Sequence, residues 1–238
     1  MASRFIISPA ERAVADTIGL KASNLYQFLL VSPEFIILSS SFYNAWRKSG
    51  TKFIDTNNNV LTDISKYFQK KKLGNVILRS SCTLEELKDR GRFLTEKSET
   101  SVSSLKKSLI AIYSDFKKSN QDEKRSLAII FQEYKQPKIQ GHLSNERRVD
   151  VSDQIWIVEK EFANEQDTIA EKIEIEDDSL IEFDYSINKC LNANTLTKCL
   201  KSVASWFSSR HSRVHIEWLW DGTNFWIVQV DYEQPIEK

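Results

Sequence analysis

Apolar positions along the chain change period several times, and each change predicts an element. Residues 10–30 predict helix, with Leu25, Phe28 and Leu29 at helical spacing after Gly19. Phe35–Leu38 predicts a short strand, followed by serines able to cap a helix that begins near Phe42. Residues 50–72 are polar and predict loop, then helix, with Asn57-Asn58-Asn59 as a turn signal. Val76–Leu78 predicts a strand that ends in Arg79-Ser80-Ser81, followed by a helix or lid segment. Over 101–119, Val102, Leu105, Leu109, Ile112, Tyr113 and Phe116 form one helical stripe. Beyond that helix, "SLAIIFQEY" and "QIWIVEKEF" read as strands, and Ile173 and Ile175 alternate with charged residues in a third. Residues 193–209 return to helical spacing through Leu196, Leu200, Val203, Trp206 and Phe207. The chain then closes on a hairpin, "HIEWLWDGTNFWIVQV" at 215–230, with Asp221-Gly222 at its tip. The pattern predicts an α+β chain of two lobes: a helix-rich lobe over 1–125 and a strand-rich lobe over 126–238, with a site between them.

Bulk properties narrow the function classes. The 238 residues are 41% hydrophobic and carry a formal net charge of zero. That balance gives no overall attraction to nucleic acid, and the small basic clusters Lys70–Lys72 and Arg147-Arg148 read as ordinary surface. No apolar run approaches the roughly 18 residues of a membrane helix, and no signal peptide is visible. Cys82, Cys190 and Cys199 are odd in number and form no C-x-x-C pair, so a reducing cytoplasm is expected. The acidic run Glu174–Asp178 reads as a solvated edge.

Five short stretches could carry chemistry. In the hairpin, Glu217 and Gln229 interrupt apolar arms. A three-residue loop, Gly222–Asn224, sets them on one face as an oxygen-only site suited to Mg2+; a two-residue loop sets them on opposite faces. The alternative is a solvent-facing side of an edge hairpin. In "VILRSS", Arg79 follows a strand end, where a guanidinium can clamp phosphate oxygens and Ser80 and Ser81 can add hydroxyls; the alternative is a surface ion pair and a helix cap. In "GLKASNL", Gly19 lets backbone approach a ligand and Lys21 could meet a terminal phosphate, although no Walker-type loop is present. "IIFQEY" ends a buried strand in Gln132, Glu133 and Tyr134, where backbone groups can read an adenine edge or the strand can simply turn before Pro137. "GHLSNERR", 141–148, is a donor-rich stretch read as a loop. Within it His142 is a poor metal ligand by sequence, with no His or Cys at ligand spacing.

Taken in order, these stretches resemble the N-terminal ATP-grasp-like nucleotide-binding domain of the phosphoenolpyruvate synthase, pyruvate phosphate dikinase and rifampin phosphotransferase family. "GLKASNL" and "SPEFIILSSSFY" resemble its opening motifs. "LRSSCTLEE" resembles its "VRSS" strand end, and "AIIFQEY" its hinge strand. "HIEWLWDGTNFWIVQVDYEQP" resembles its closing "DIEW…LQ-x-RP". The resemblance implies a two-lobed ATP-grasp-like fold that binds ATP and Mg2+. It implies that Lys21 and Arg79 contact phosphates, that Ser80 assists, that adenine sits by Gln132, Glu133 and Tyr134, and that Glu217 and Gln229 hold the metal. The phosphoryl group would pass to a histidine on a swivelling domain, in cis or in trans. The sequence also departs from the pattern. Asp231 stands where an Arg usually follows the Gln, His215 replaces the Asp before Ile-Glu-Trp, and 156–167 has no glycine where the family has a Gly-rich segment. Such a chain could instead be a non-catalytic nucleotide-sensing or interaction module of the same fold.

Overall fold

A computed structural model describes residues 4–11, 13–84, 92–120, 122–145, 155–163, 168–175, 189–190, 192–208, 210 and 213–232. The fold is α+β, with two five-stranded antiparallel sheets in two compact units. Unit 1 comprises Met1–Gln27 and Glu34–Tyr134; unit 2 comprises Phe28–Pro33 and Lys135–Lys238. The division differs from the one expected at residue 125. The apolar strand predicted for the second lobe pairs on both edges within the first sheet, and a short N-terminal segment belongs to the second unit.

Unit 1 is built on the sheet β1-β2-β5-β3-β4. Its strands are β1 (Ile6–Ile7), β2 (Phe35–Leu38), β3 (Asn75–Cys82), β4 (Thr95–Glu99) and β5 (Leu127–Glu133). Its longer helices are α3 (Ser40–Ser49), α5 (Asn58–Lys70) and α6 (Val102–Ser119). They pack with the short α4 (Thr51–Thr56) on one face, over Ile36, Leu38, Leu78, Ile129 and Phe131. The opposite face, Phe35, Ile37, Ala128 and Ile130, is covered by Ile18, Ala22 and Leu25 of α1 (Ala15–Ile18) and α2 (Leu20–Leu25). Burial on both faces explains why β5 reads as an unbroken apolar run. The expected helix over 10–30 is two short helices and a 3-10 turn, Tyr26–Phe28, because Gly19 breaks the path with φ 78° and ψ 165°. The expected loop before α5 is itself helical as α4, and Asn57 alone makes the turn, its Nδ2 donating to Phe53 O (2.9 Å).

Unit 2 carries the sheet β10-β9-β6-β7-β8 and, among the described residues, the helix α7 (Ala193–Ser208). The strands are β6 (Ile139–Ser144), β7 (Ile155–Phe162), β8 (Thr168–Glu174), β9 (Val214–Trp220) and β10 (Phe225–Tyr232). Leu196, Leu200, Val203 and Phe207 of α7 pack on Leu143, Trp156, Ile216 and Ile227. β6 corrects the reading of 141–148 as a loop: Gly141–Ser144 lie in a central strand, hydrogen-bonded to β7 and β9. Gly141 is needed there, since a Cβ would lie 1.8 Å from Glu159 O across the pair. Glu146, Arg147 and Arg148 lie outside the described residues, as do most of the acidic run 174–178, His211 and the segment 85–91 after β3.

The closing hairpin settles its register in an unexpected way. Phe225 pairs with Trp220, so the tip is Asp221–Asn224. Continued unbroken, that pairing sets Val228 opposite Glu217. A β-bulge between Ile227 and Gln229 shifts the register, and Gln229 pairs with Glu217 and Asp231 with His215. The shared face expected from a three-residue loop is thus reached by a longer tip and a bulge. At the tip, Asp221 Oδ1 accepts from Thr223 N (2.9 Å), Thr223 Oγ1 (2.9 Å) and Asn224 N (2.8 Å), and Oδ2 accepts from Trp226 Nε1 (2.8 Å). Burial opposes its charge, but the bonds from Trp226, Asn224 and Thr223 outweigh it and lower the pKa to about 2. A folded pKa below the unfolded one stabilises above the ordinary carboxylate range, and that contribution is lost as pH falls through it toward about 2. Asp221→Asn is therefore expected to be less stable than the parent at neutral pH, with the gap closing between about pH 4 and pH 2; urea titrations across that range measure it.

Candidate functional site

In unit 1, side-chain alternation sorts the expected residues onto two faces. The pairs Ser81–Ala128, Arg79–Ile130 and Ile77–Gln132 put Arg79, Ser81 and Gln132 on the face covered by α1 and α2. Arg79 Nε donates to Gln132 Oε1 at 3.0 Å, joining residues 53 apart in sequence. Gln132 is buried, which fixes the guanidinium on the sheet. Ser81 Oγ accepts from Ala22 N (3.1 Å), and Gly19 lies against Ser81 so closely that a Cβ would fall 2.3 Å from its carbonyl oxygen. The expectation that Gly19 admits a ligand is thus corrected: its bare backbone admits β3. This contact seats α2 on the strand that carries Arg79, and Lys21, on the same short helix, is 6% exposed.

Three expected residues are not brought into that group. Ser80 is buried on the opposite face and donates to Leu94 O (2.8 Å), because adjacent strand residues point opposite ways. Glu133 Oε2 accepts from Glu34 N (3.4 Å), beside a cluster in which Glu34 also accepts from Tyr67 OH and pairs with Lys71 (2.9 Å). Burial and the Glu34 carboxylate push the Tyr67 hydroxyl well above its ordinary range. The Tyr134 ring lies under Lys97 Nζ, 3.5 Å from its centroid. The backbone N–H groups of Glu133 and Tyr134, expected to be able to read an adenine edge, donate to Glu34 O (2.7 Å) and Asn75 O (3.1 Å).

In unit 2 the polar row lies on the face of the sheet away from α7. Gln229 Nε2 donates to Asp231 Oδ2 (3.1 Å), and both residues are buried. Across β9, Glu217 is flanked by His215 and pairs with His142 of β6. His142 Nδ1 lies 3.0 Å from His215 Nε2. The sequence gives His142 no partner at ligand spacing; the structure brings it one from a strand 73 residues on. The period-two alternation of "IQGHLS" is the signal that could have found it, but Gly141 blanks one of the apolar positions. Glu217 and the Gln229 carbonyl supply oxygen donors of the kind Mg2+ takes, so the pair fits that ion. Two imidazole nitrogens stand beside Glu217 as well, and they widen the range of metals the face could take.

No family model and no curated protein matches the chain. Among solved structures, the chain is similar to PH1788 from Pyrococcus horikoshii Ot3, with 11% identity and a TM-score of 0.46 over 82% of this chain and 97% of that one. It is also similar to the D-alanine–D-alanine ligase from Bacillus anthracis complexed with ATP, with 11% identity and a TM-score of 0.31 over 76% of this chain and 57% of the ligase. Neither likeness is close enough to assign a function. Among the described residues no helix is long and apolar enough to cross a membrane.

Proposed function

We propose that the chain is an ATP-grasp-like nucleotide-binding module of a magnesium-dependent phosphotransferase. The observation that carries this reading is the joining of two separate motifs in unit 1: Gly19 and Ala22 of "GLKAS" are seated on Ser81 of "RSS", next to an Arg79 held by Gln132. A guanidinium fixed by a buried amide is pre-organised for phosphate oxygens. In this reading Arg79 and Lys21 offset the negative charge of the transferring group, and Gln132 orients Arg79. Glu217 and Gln229 of unit 2 would hold Mg2+, which adds charge neutralisation when bound. The acceptor would be a histidine on a swivelling domain, in cis or in trans, and three buried cysteines outside any disulfide suit a reducing cytoplasm.

Calorimetric titration of ATP with Mg2+ into the intact chain tests this reading. Arg79→Ala is expected to weaken binding roughly 10- to 100-fold, the worth of a charge-assisted bond. Ser80→Ala, on the other face of the sheet, is expected to leave affinity within about twofold, because its hydroxyl is bonded to the Leu94 carbonyl there. No ATP binding by the parent, or equal binding by Arg79→Ala, overturns the assignment.

A second reading is favoured by Asp231, which accepts from Gln229 where the resembled family usually has Arg. A carboxylate in that row repels phosphates, and suits a module that binds nucleotide without turning it over. ATP that binds and is never consumed, even with candidate acceptor domains added, supports it.

A further inference from the structure

The polar face of the second sheet holds two imidazoles that the nucleotide reading does not use, beside the Glu217 that it does. β6 and β9 run antiparallel, with His142 opposite Glu217 and Ser144 opposite His215. The ligand atoms of His142, His215 and Glu217 all lie within 4.8 Å of one another. The imidazoles are tilted 33° with centroids 4.9 Å apart, and the facing nitrogens are 3.0 Å apart. All three residues are half-buried on neighbouring strands, so their backbones are fixed by the ladder rather than by loops.

We propose that His142, His215 and Glu217 bind a divalent transition-metal ion of the zinc or cobalt class, without nucleotide. Two imidazoles and one carboxylate are a set that zinc takes with a further position open, whereas Mg2+ prefers oxygen throughout. The spacing agrees. Nitrogens about 2.1 Å from one ion are roughly 3.0 Å apart at a right angle and roughly 3.4 Å apart in a tetrahedron. The proton balance is simple. Without metal, one ring donates to the other across the gap; for both facing nitrogens to ligate, the donor ring carries its hydrogen on its outer nitrogen, and no proton need leave the pair. Asp231 pairs across from His215 and Gln229 across from Glu217, so the neighbours in register are polar groups able to orient ligands. The site shares Glu217 with the magnesium pair but stands on the imidazoles, and it holds whether or not ATP binds.

The test is titration of Co2+ into the full chain in the absence of nucleotide, followed by visible absorption. The expected result is one equivalent bound with d–d bands of a nitrogen- and oxygen-ligated ion, displaced by Zn2+. A thiolate-to-cobalt charge-transfer band would instead assign the ion to the cysteines and overturn the proposal. His142→Asn and His215→Asn are each expected to weaken binding at least about 100-fold, more than the roughly 10- to 100-fold that losing an outer partner costs. Substitution of the chain's third histidine, His211→Ala, should leave binding intact. If a variant does not fold, histidine ring-nitrogen NMR of the parent with Zn2+ decides: two of the three histidines shift if the site is right, and none or a different pair if it is wrong. ATP titration is read separately, so Mg-ATP binding without cobalt binding sinks this proposal alone, and cobalt binding without ATP binding sinks the nucleotide reading alone.

Discussion

Gly19→Ala is expected to destabilise unit 1 by roughly 3–5 kcal/mol, in two parts. The first is backbone strain. Gly19 sits at φ 78° and ψ 165°, a region that residues with a Cβ essentially do not enter. The second is steric. The new Cβ would fall 2.3 Å from both the carbonyl oxygen and the hydroxyl of Ser81. The strand cannot retreat, because β3 is bonded to β4 on one side and to β5 on the other. Relief must come from lifting α2, which breaks the Ala22–Ser81 bond and exposes Ile18 and Leu25. Urea unfolding of the variant measures the loss. Gly74→Ala is the control: a Cβ there meets nothing within 4 Å, and its effect should be within about 0.5 kcal/mol. Comparable stability of the two variants would show that Gly19 does not pin α2 to β3.

Phe28→Ala is expected to cost about 3–5 kcal/mol, and to act on unit 2 although residue 28 lies in the first eighth of the chain. Phe28 is fully buried in the second core, with ring centroids 5.4 Å from both Trp206 and Phe207. The same segment is tied to the hairpin by Ile227 N donating to Val31 O (2.8 Å). Truncation therefore leaves a hole against α7 and loosens an attachment to β10. Tryptophan fluorescence resolves the effect, because Trp156, Trp206, Trp218, Trp220 and Trp226 belong to unit 2 and only Trp46 to unit 1. The fluorescence midpoint should fall to lower urea. An unchanged midpoint would mean that the segment contributes nothing to the second core.

The sequence carries these elements unequally, for physical reasons. α6 and β5 are legible because each is buried along its length, one as a stripe and one on both faces. β4, "TEKSE", is not, because it pairs on one side only at the sheet edge and needs few apolar residues. β6 is not, because Gly141 stands where alternation needs an apolar side chain and polar residues follow. The candidate groups show the same limit. Arg79 is conspicuous at its strand end, but its bond to Gln132 depends on a strand 53 residues on, and the placement of Ser80 on the far face follows only once the register is fixed. The opposition of Glu217 and Gln229 was readable in outcome but not in cause, since nothing in "FWIVQV" announces a bulge.

The assignment of Phe28–Pro33 to the second unit also orders events during synthesis. The ribosome delivers this segment before any strand of its own sheet exists, and Ile227, which bonds to it, emerges only with β10. Unit 1 has all its strands once Tyr134 is out, so it can fold while Phe28 and Val31 still wait, unburied, for partners. Completion of the second unit thus waits for β10, after every strand of the first has emerged. A ribosome stalled before the β9–β10 hairpin would hold a finished first unit and an exposed apolar segment, the kind of surface that chaperones bind.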